Sequence, residues 1–165
     1  MLLLLPIMIE LRPTEIRTLM YIGERRNEVS VAAGRVTREE AGFTAAQTHG
    51  HAAIGEYGFC KMNNLHFDLD YDPRPLPDYD CILGDDDVDV KTITKAHHNL
   101  AVAETKIDKP CDKYVLMYWN GPWLEYLGYA LPADIFRPEN LKKERANGQA
   151  YDSPFYLLHK SLLIK

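Results

Sequence analysis

Asp80, Asp89 and Lys91 are the residues of this chain whose types and spacing best suit chemistry. They lie in Pro77-Asp78-Tyr79-Asp80-Cys81-Ile82-Leu83 and, beyond Gly84-Asp85-Asp86, in Val88-Asp89-Val90-Lys91-Thr92-Ile93. In a strand, residues two apart share a face, so Asp89 and Lys91 point one way while Val88 and Val90 pack the other side. A hairpin between the two segments brings Asp80 beside them. Two carboxylates converging in a partly desolvated sheet repel each other unless a cation joins them, and all-oxygen ligation with room for water suits magnesium or manganese. A lysine beside that cation can position or deprotonate a water, while the cation polarises a phosphate and stabilises the leaving oxygen. That is the apparatus of phosphodiester hydrolysis. Asp78 competes with Asp80 for the first position. Asp80 is preferred because Cys81-Ile82-Leu83 follows it directly, as at the mouth of a core strand.

The elements that must position these residues are legible in the apolar period. Pro13-Thr14-Glu15 opens a helical pattern with Ile16, Leu19, Met20 and Gly23 on one face, expected to end in the charged segment Glu24 to Glu28. Thr37-Arg38-Glu39-Glu40 has capping-box spacing and predicts a short helix bearing Ala41, Ala45 and Ala46. A further helix is expected from about His49 to Met62, ended by Asn63-Asn64. It carries Glu56, whose neighbours three and four positions away, Ala52, Ala53, Phe59 and Cys60, are all apolar. A carboxylate on such a face is costly unless paired or metal-bound. The structural alternative is a carboxylate held by a nearby Arg or Tyr. From Leu65 to Tyr71 apolar and polar residues alternate, which predicts a strand, and Pro73, Pro75 and Pro77 force an extended connection. Strands are then expected at Tyr79 to Leu83, Asp87 to Thr94, Leu100 to Ala103, Tyr114 to Trp119 and Trp123 to Leu131. The chain closes with a basic segment around Leu141 to Arg145 and an apolar stretch, Phe155 to Leu158. The class is α+β, N-terminal helices followed by a mixed β-sheet.

With 165 residues, 46% hydrophobic and 26% charged, residues 1–165 are read as one domain with one core. Met1 to Ile9 is apolar but interrupted by Pro6, lacks a basic n-region and is too short for a bilayer; it reads as a buried strand or as sequence upstream of a start at Met8. A cytoplasmic protein is expected. Cys60, Cys81 and Cys111, odd in number and without CxxC spacing, read as reduced core residues. The net charge of −5 argues against coating DNA by bulk positive charge. Its distribution is uneven, because Asp68, Asp70, Asp72, Asp78, Asp80, Asp85, Asp86, Asp87 and Asp89 crowd one stretch. The candidate phosphate contacts flank it: Arg25, Arg26, Arg35 and Arg38 before, Lys142, Lys143 and Arg145 after, with His98 close behind the Lys91 strand.

The strand-opening Asp80, the turn, the Asp89-Val90-Lys91 triplet and the helix before them resemble the PD-(D/E)xK nuclease superfamily. Its pattern is an aspartate opening one strand, then Asp or Glu, any residue and Lys on the next. The resemblance covers most of the domain in outline and implies a restriction-endonuclease-like core and DNA as substrate. It adds a glutamate on the preceding helix, a place Glu56 fills, binding a second metal or a metal-bound water. Asp80 and Asp89 would bind Mg2+ or Mn2+, and Lys91 would orient the attacking water. The layout, including Tyr126-Leu127-Gly128-Tyr129-Ala130-Leu131-Pro132-Ala133-Asp134, is also similar to small nucleases encoded by phages and prophages, which would place the protein in the host cytoplasm. Residues 104–112, with Pro110, leave little space for the helix that the superfamily places between its third and fourth strands. The expected partner is nucleic acid, DNA ahead of RNA, with a homodimer left open. The rival expectation is a catalytically inactive nuclease-fold module that contacts nucleic acid or a protein.

Other motifs carry less. Asp89 and Lys91 could be no more than a cross-strand charge network. Asp68-x-Asp70-x-Asp72 lacks the Gly and the bidentate Glu of a calcium loop, having Pro73 and Tyr79 in their places. A haloacid-dehalogenase-type phosphatase would need a larger downstream domain than this chain contains. His49-x-His51 and His97-His98 lack a convincing set of further metal ligands, and Trp119 and Trp123 read as sheet-end packing before base stacking.

Overall fold

A computed structural model describes residues 7–35, 42–71 and 79–165. The predicted helix at Thr37, Arg38, Asp78 and the proline-rich connection fall outside these residues. Among those described, two helices cover one face of a mixed five-stranded sheet and a three-stranded sheet lies against the other.

The first strand, β1 (Met8–Glu10), leads into α1 (Pro13–Ala32). Pro13 occupies the first turn, where a missing N–H costs nothing, and Glu15 accepts from the Arg12 N–H at 2.7 Å. The helix does not stop in the charged segment as expected. Arg25, Arg26 and Glu28 are good helix formers, and nothing between Glu24 and Ala32 breaks the ladder before Gly34. Helix α2 (Ala45–Met62) begins earlier than expected, because Thr44 and Gln47 form a capping box: Thr44 Oγ1 accepts from the Gln47 N–H and Gln47 Oε1 from the Thr44 N–H. Gly23 and Gly50 let the two helices touch, since a Cβ on Gly23 would meet the Gly50 backbone at 2.2 Å.

The large sheet has the order β1, β6 (Trp123–Ala130), β5 (Lys113–Asn120), β3 (Asp86–Ile93), β2 (Cys81–Leu83). All pairs are antiparallel except β3 with β5, which run parallel. The small sheet is β4 (Leu100–Ala103), β8 (Ala150–Leu158) and β7 (Leu141–Glu144), so the basic segment is a strand. Alternation along β5 explains both cores. Val115 and Met117 join Leu19, Ile54, Phe59, Val88 and Val90 on the helix side. Tyr114 and Leu116 join Leu100, Val102, Tyr156 and Leu158 on the small-sheet side. A strand covered on both faces is apolar throughout, as Tyr114 to Met117 is.

The strand expected at Leu65 to Tyr71 is not formed. Asn64 ends α2 with φ of 54°, and the following residues run without regular structure. Leu65 and Phe67 pack against the helix-side core, but Leu69 and Tyr71 are exposed, and no neighbouring strand pairs with them among the described residues. Between β4 and β5 the chain makes only a single 3-10 turn, Glu104–Ile107.

Candidate functional site

The hairpin forms in the register the motif requires. Cys81 pairs with Val88 and Leu83 with Asp86, so Asp80, one step before β2, lies beside the middle of β3. Because β2 is only three residues long, the later half of β3 has no partner strand on that edge among the described residues. Asp80 fills the place: its Oδ2 accepts from the Val90 N–H at 2.7 Å, and its own N–H donates to the Val88 carbonyl at 2.9 Å. A carboxylate thus substitutes for a strand's carbonyl, and it stands at the sheet edge where the two faces meet.

Asp89 and Lys91 share the face of β3 opposite Val88 and Val90, as alternation demands. The Asp89 side chain is only 3% exposed. It is neutralised by two ammonium groups, Lys91 on Oδ1 and Lys106 on Oδ2, the latter at 3.3 Å. Lys91 is held protonated: burial opposes the charge, but Asp89, Asp80 and Glu56 together raise its pKa above the usual lysine range. The Asp80 carboxyl keeps access to solvent at the edge. Protein packed around it nevertheless pushes its pKa well above the usual carboxylate range, and the negative charges of Glu56 and Asp89 push the same way, against Lys91 and the Val90 N–H. Asp80, Asp89, Lys91 and Glu56 therefore belong to one electrostatic cluster.

Glu56 enters this cluster from the helix side. Gly55 lets α2 lie directly on β3, with Thr92 Oγ1 where a Cβ would be. The glutamate is itself paired, its Oε2 accepting from Arg26 Nη1 at 2.7 Å, with both side chains largely buried at 14% and 19% exposure. Arg26 Nη2 also donates to the Asp68 carbonyl at 2.9 Å, pinning the irregular segment after α2. His49 stands nearby on α2; burial lowers its pKa and Arg26 lowers it further, with Glu56 partly offsetting.

Among the described residues, no group of three or more His, Cys, Asp and Glu side chains is close enough to hold a metal ion as they stand. Glu56, Asp80 and Asp89 are drawn toward Arg26, the Val90 N–H and the two lysines respectively. The donor chemistry still fits a hard divalent cation. Carboxylate oxygens predominate, and a lysine-held carboxylate can exchange an ammonium for a metal. Such an ion would have to displace Lys106 from Asp89 and draw Glu56 toward the edge.

The expected phosphate contacts divide. Arg35, Lys143 and Arg145 are exposed and Lys142 is half-exposed on β7, with Arg145 lying over the Tyr151 ring at 5.5 Å. Arg25 pairs with Glu28 and lies over Tyr21, and Arg26 is committed to Glu56 rather than to solvent. His98 is half-buried, with its ring edge-on to His97. His51 is buried between the Phe43 and Trp119 rings, so it packs the core. Trp119 donates to the Gly121 carbonyl at 2.6 Å, whereas Trp123 is exposed. Cys60, Cys81 and Cys111 are buried free thiols, as expected. Lys106 was not foreseen. It lies in a connection with no periodic pattern, and its only signal is a basic side chain in the short turn between β4 and β5.

No helix among the described residues is long and apolar enough to cross a membrane. Comparison of the chain with protein-family models, with curated proteins and with solved structures gave no match.

Proposed function

We propose that this chain is a magnesium- or manganese-dependent phosphodiesterase that cleaves DNA, a nuclease of the PD-(D/E)xK type on a restriction-endonuclease-like core. The observation that carries the reading is the pairing of Asp80 with β3. It sets a carboxylate of raised pKa at an open sheet edge beside Asp89 and Lys91, where a bound cation would relieve the mutual repulsion. Asp80 and Asp89 would hold the metal, with Glu56 reaching it directly or through water. A bound divalent ion supplies polarisation of the phosphodiester and neutralises the charge that builds on its oxygens. Lys91, kept as an ammonium by its carboxylate neighbours, donates hydrogen bonds that orient the attacking water. The exposed cations Arg35, Lys143 and Arg145, with the half-exposed Lys142, would hold the backbone of the nucleic acid.

The test is cleavage of supercoiled plasmid with magnesium by wild type, Asp80→Asn, Asp89→Asn and Lys91→Ala. Wild-type cleavage that is abolished by chelator and reduced on the order of a hundredfold in each variant is the expected result. Equal activity in all four proteins would overturn the assignment.

The neutralisation of Asp89 by Lys91 and Lys106 favours a second reading, a nuclease-fold module that binds nucleic acid or protein without cleaving. Thermal melts in the presence of a short oligonucleotide, with and without millimolar magnesium, separate the two, because a metal site stabilises the folded state by mass action and a fully lysine-neutralised cluster does not.

A further inference from the structure

We infer that Lys106 gates this site: its ammonium occupies Asp89 until a phosphodiester draws it away, so that divalent cation and phosphate enter cooperatively. The inference rests on the metal-dependent reading above and adds a residue and a binding order to it.

The paired carboxylates are already neutralised as they stand. Asp89 meets Lys91 and Lys106, and Glu56 meets Arg26, two carboxylates against three cations. A divalent ion added to that set brings two positive charges among three already present, in a region where Asp89 is almost wholly dry. Like charges so placed repel strongly, and they are relieved only if a cation leaves or an anion arrives. A phosphodiester supplies the anion.

Lys106 is the cation built to move. Lys91 sits on the regular strand β3, paired with β5 along that stretch, and Arg26 is fixed by both Glu56 and the Asp68 carbonyl. Lys106 comes instead from the single 3-10 turn Glu104–Ile107. Its 3.3 Å contact with Asp89 Oδ2 is longer than a strong charge-assisted hydrogen bond. Swinging to a phosphate at the edge, it would free the Asp89 oxygen for the metal and neutralise the substrate at once. The same lysine thus disfavours metal without substrate and favours it with substrate. The two ligands then raise each other's affinity by the same factor.

Manganese binding to the full chain, read as loss of the free-ion electron paramagnetic resonance signal, tests this without reference to cleavage. It is measured with and without a short duplex oligonucleotide whose linkages are phosphorothioates. Wild type should bind manganese weakly alone and on the order of tenfold more tightly with the oligonucleotide. Lys106→Met should bind on the order of tenfold more tightly without it and gain little from its addition. Lys106→Arg should restore the wild-type pattern, and Lys106→Gln, which keeps the polarity but not the charge, should follow Lys106→Met. Unchanged or weaker manganese binding in Lys106→Met and Lys106→Gln, or undiminished tightening by the oligonucleotide, would overturn the gate. Cooperative binding without plasmid cleavage would keep the gate and overturn the nuclease. Cleavage with no effect of Lys106 would overturn the gate alone, and no manganese binding in any variant would overturn both.

Discussion

Gly55→Ala is the substitution that probes most directly how the fold sets the site, because residue 55 is where α2 rests on β3 and residue 56 is the candidate glutamate. An alanine Cβ there would lie 1.8 Å from Thr92 Oγ1, 3.0 Å from Thr92 Cβ and 3.3 Å from Thr92 Cγ2. Thr92 is β-branched, so rotation about χ1 offers it one staggered escape, and its Cβ remains too close in any rotamer. In an open helix the change would gain about 1 kcal/mol from the higher propensity of alanine. Overpacking costs about 1–3 kcal/mol, so a net loss of about 1–2 kcal/mol is expected. Thr92→Ala by itself should be nearly neutral. It gives up a buried methyl group but also removes a buried hydroxyl that finds no hydrogen-bond partner among the described residues. In the double variant the 1.8 Å and 3.3 Å contacts vanish and only the 3.0 Å contact stays. The pair should therefore couple by about 1–2 kcal/mol in the stabilising direction. Urea unfolding followed by tryptophan fluorescence gives all four stabilities. A Gly55→Ala protein as stable as wild type, or a double variant whose losses simply add, would refute this account of the helix–sheet contact.

Two further perturbations follow from ion pairs the structure resolves. Glu15 accepts from Tyr57 Oη at 2.5 Å, Lys61 Nζ at 2.7 Å and the Arg12 N–H at 2.7 Å. Burial raises its pKa, but the bonds from Lys61, Tyr57 and Arg12 outweigh it and bring the value down from 4.5 to about 2. A carboxylate depressed on folding stabilises above its unfolded pKa and loses that contribution as pH falls, here between about 4.5 and 2. The full shift would correspond to about 3 kcal/mol, which the exposure of Lys61 reduces to about 1–2 kcal/mol. Stability measured from pH 6 down to about 2 should fall by that much more in wild type than in Glu15→Gln, and parallel curves would refute it. For the Arg26–Glu56 pair, Glu56→Gln leaves a largely buried guanidinium without its counter-charge and should cost about 1–3 kcal/mol. Arg26→Met with Glu56→Met should recover most of that loss in the same urea assay, and a double variant no better than the single would show that the pair is not the source.

What the sequence made legible and what it hid divide along a physical line. The β2–β3 hairpin, the alternation of Val88 and Val90 with Asp89 and Lys91, and the doubly buried β5 all follow from local period and turn chemistry, which act over a few residues. The strand expected at Leu65 to Tyr71 had the right alternation, but alternation marks a strand only where a neighbouring edge accepts it, and among the described residues no strand pairs with that segment. The site was half legible for the same reason. That Glu56 faces inward could be read from Ala52, Ala53, Phe59 and Cys60; that Arg26, thirty positions earlier, meets it could not, because no period connects α1 with α2. Arg26 therefore reads in sequence as a surface cation and turns out to be a partner of the candidate glutamate. Lys106 is the sharper case, since its role depends on the small sheet docking behind β3 and bringing the turn after β4 to Asp89. The charges that set the ionisation of Asp80 and Lys91 thus come from α2, β3 and the residue just before β2 together. A three-residue motif can nominate the acid and the lysine, but their protonation is a property of the packed arrangement.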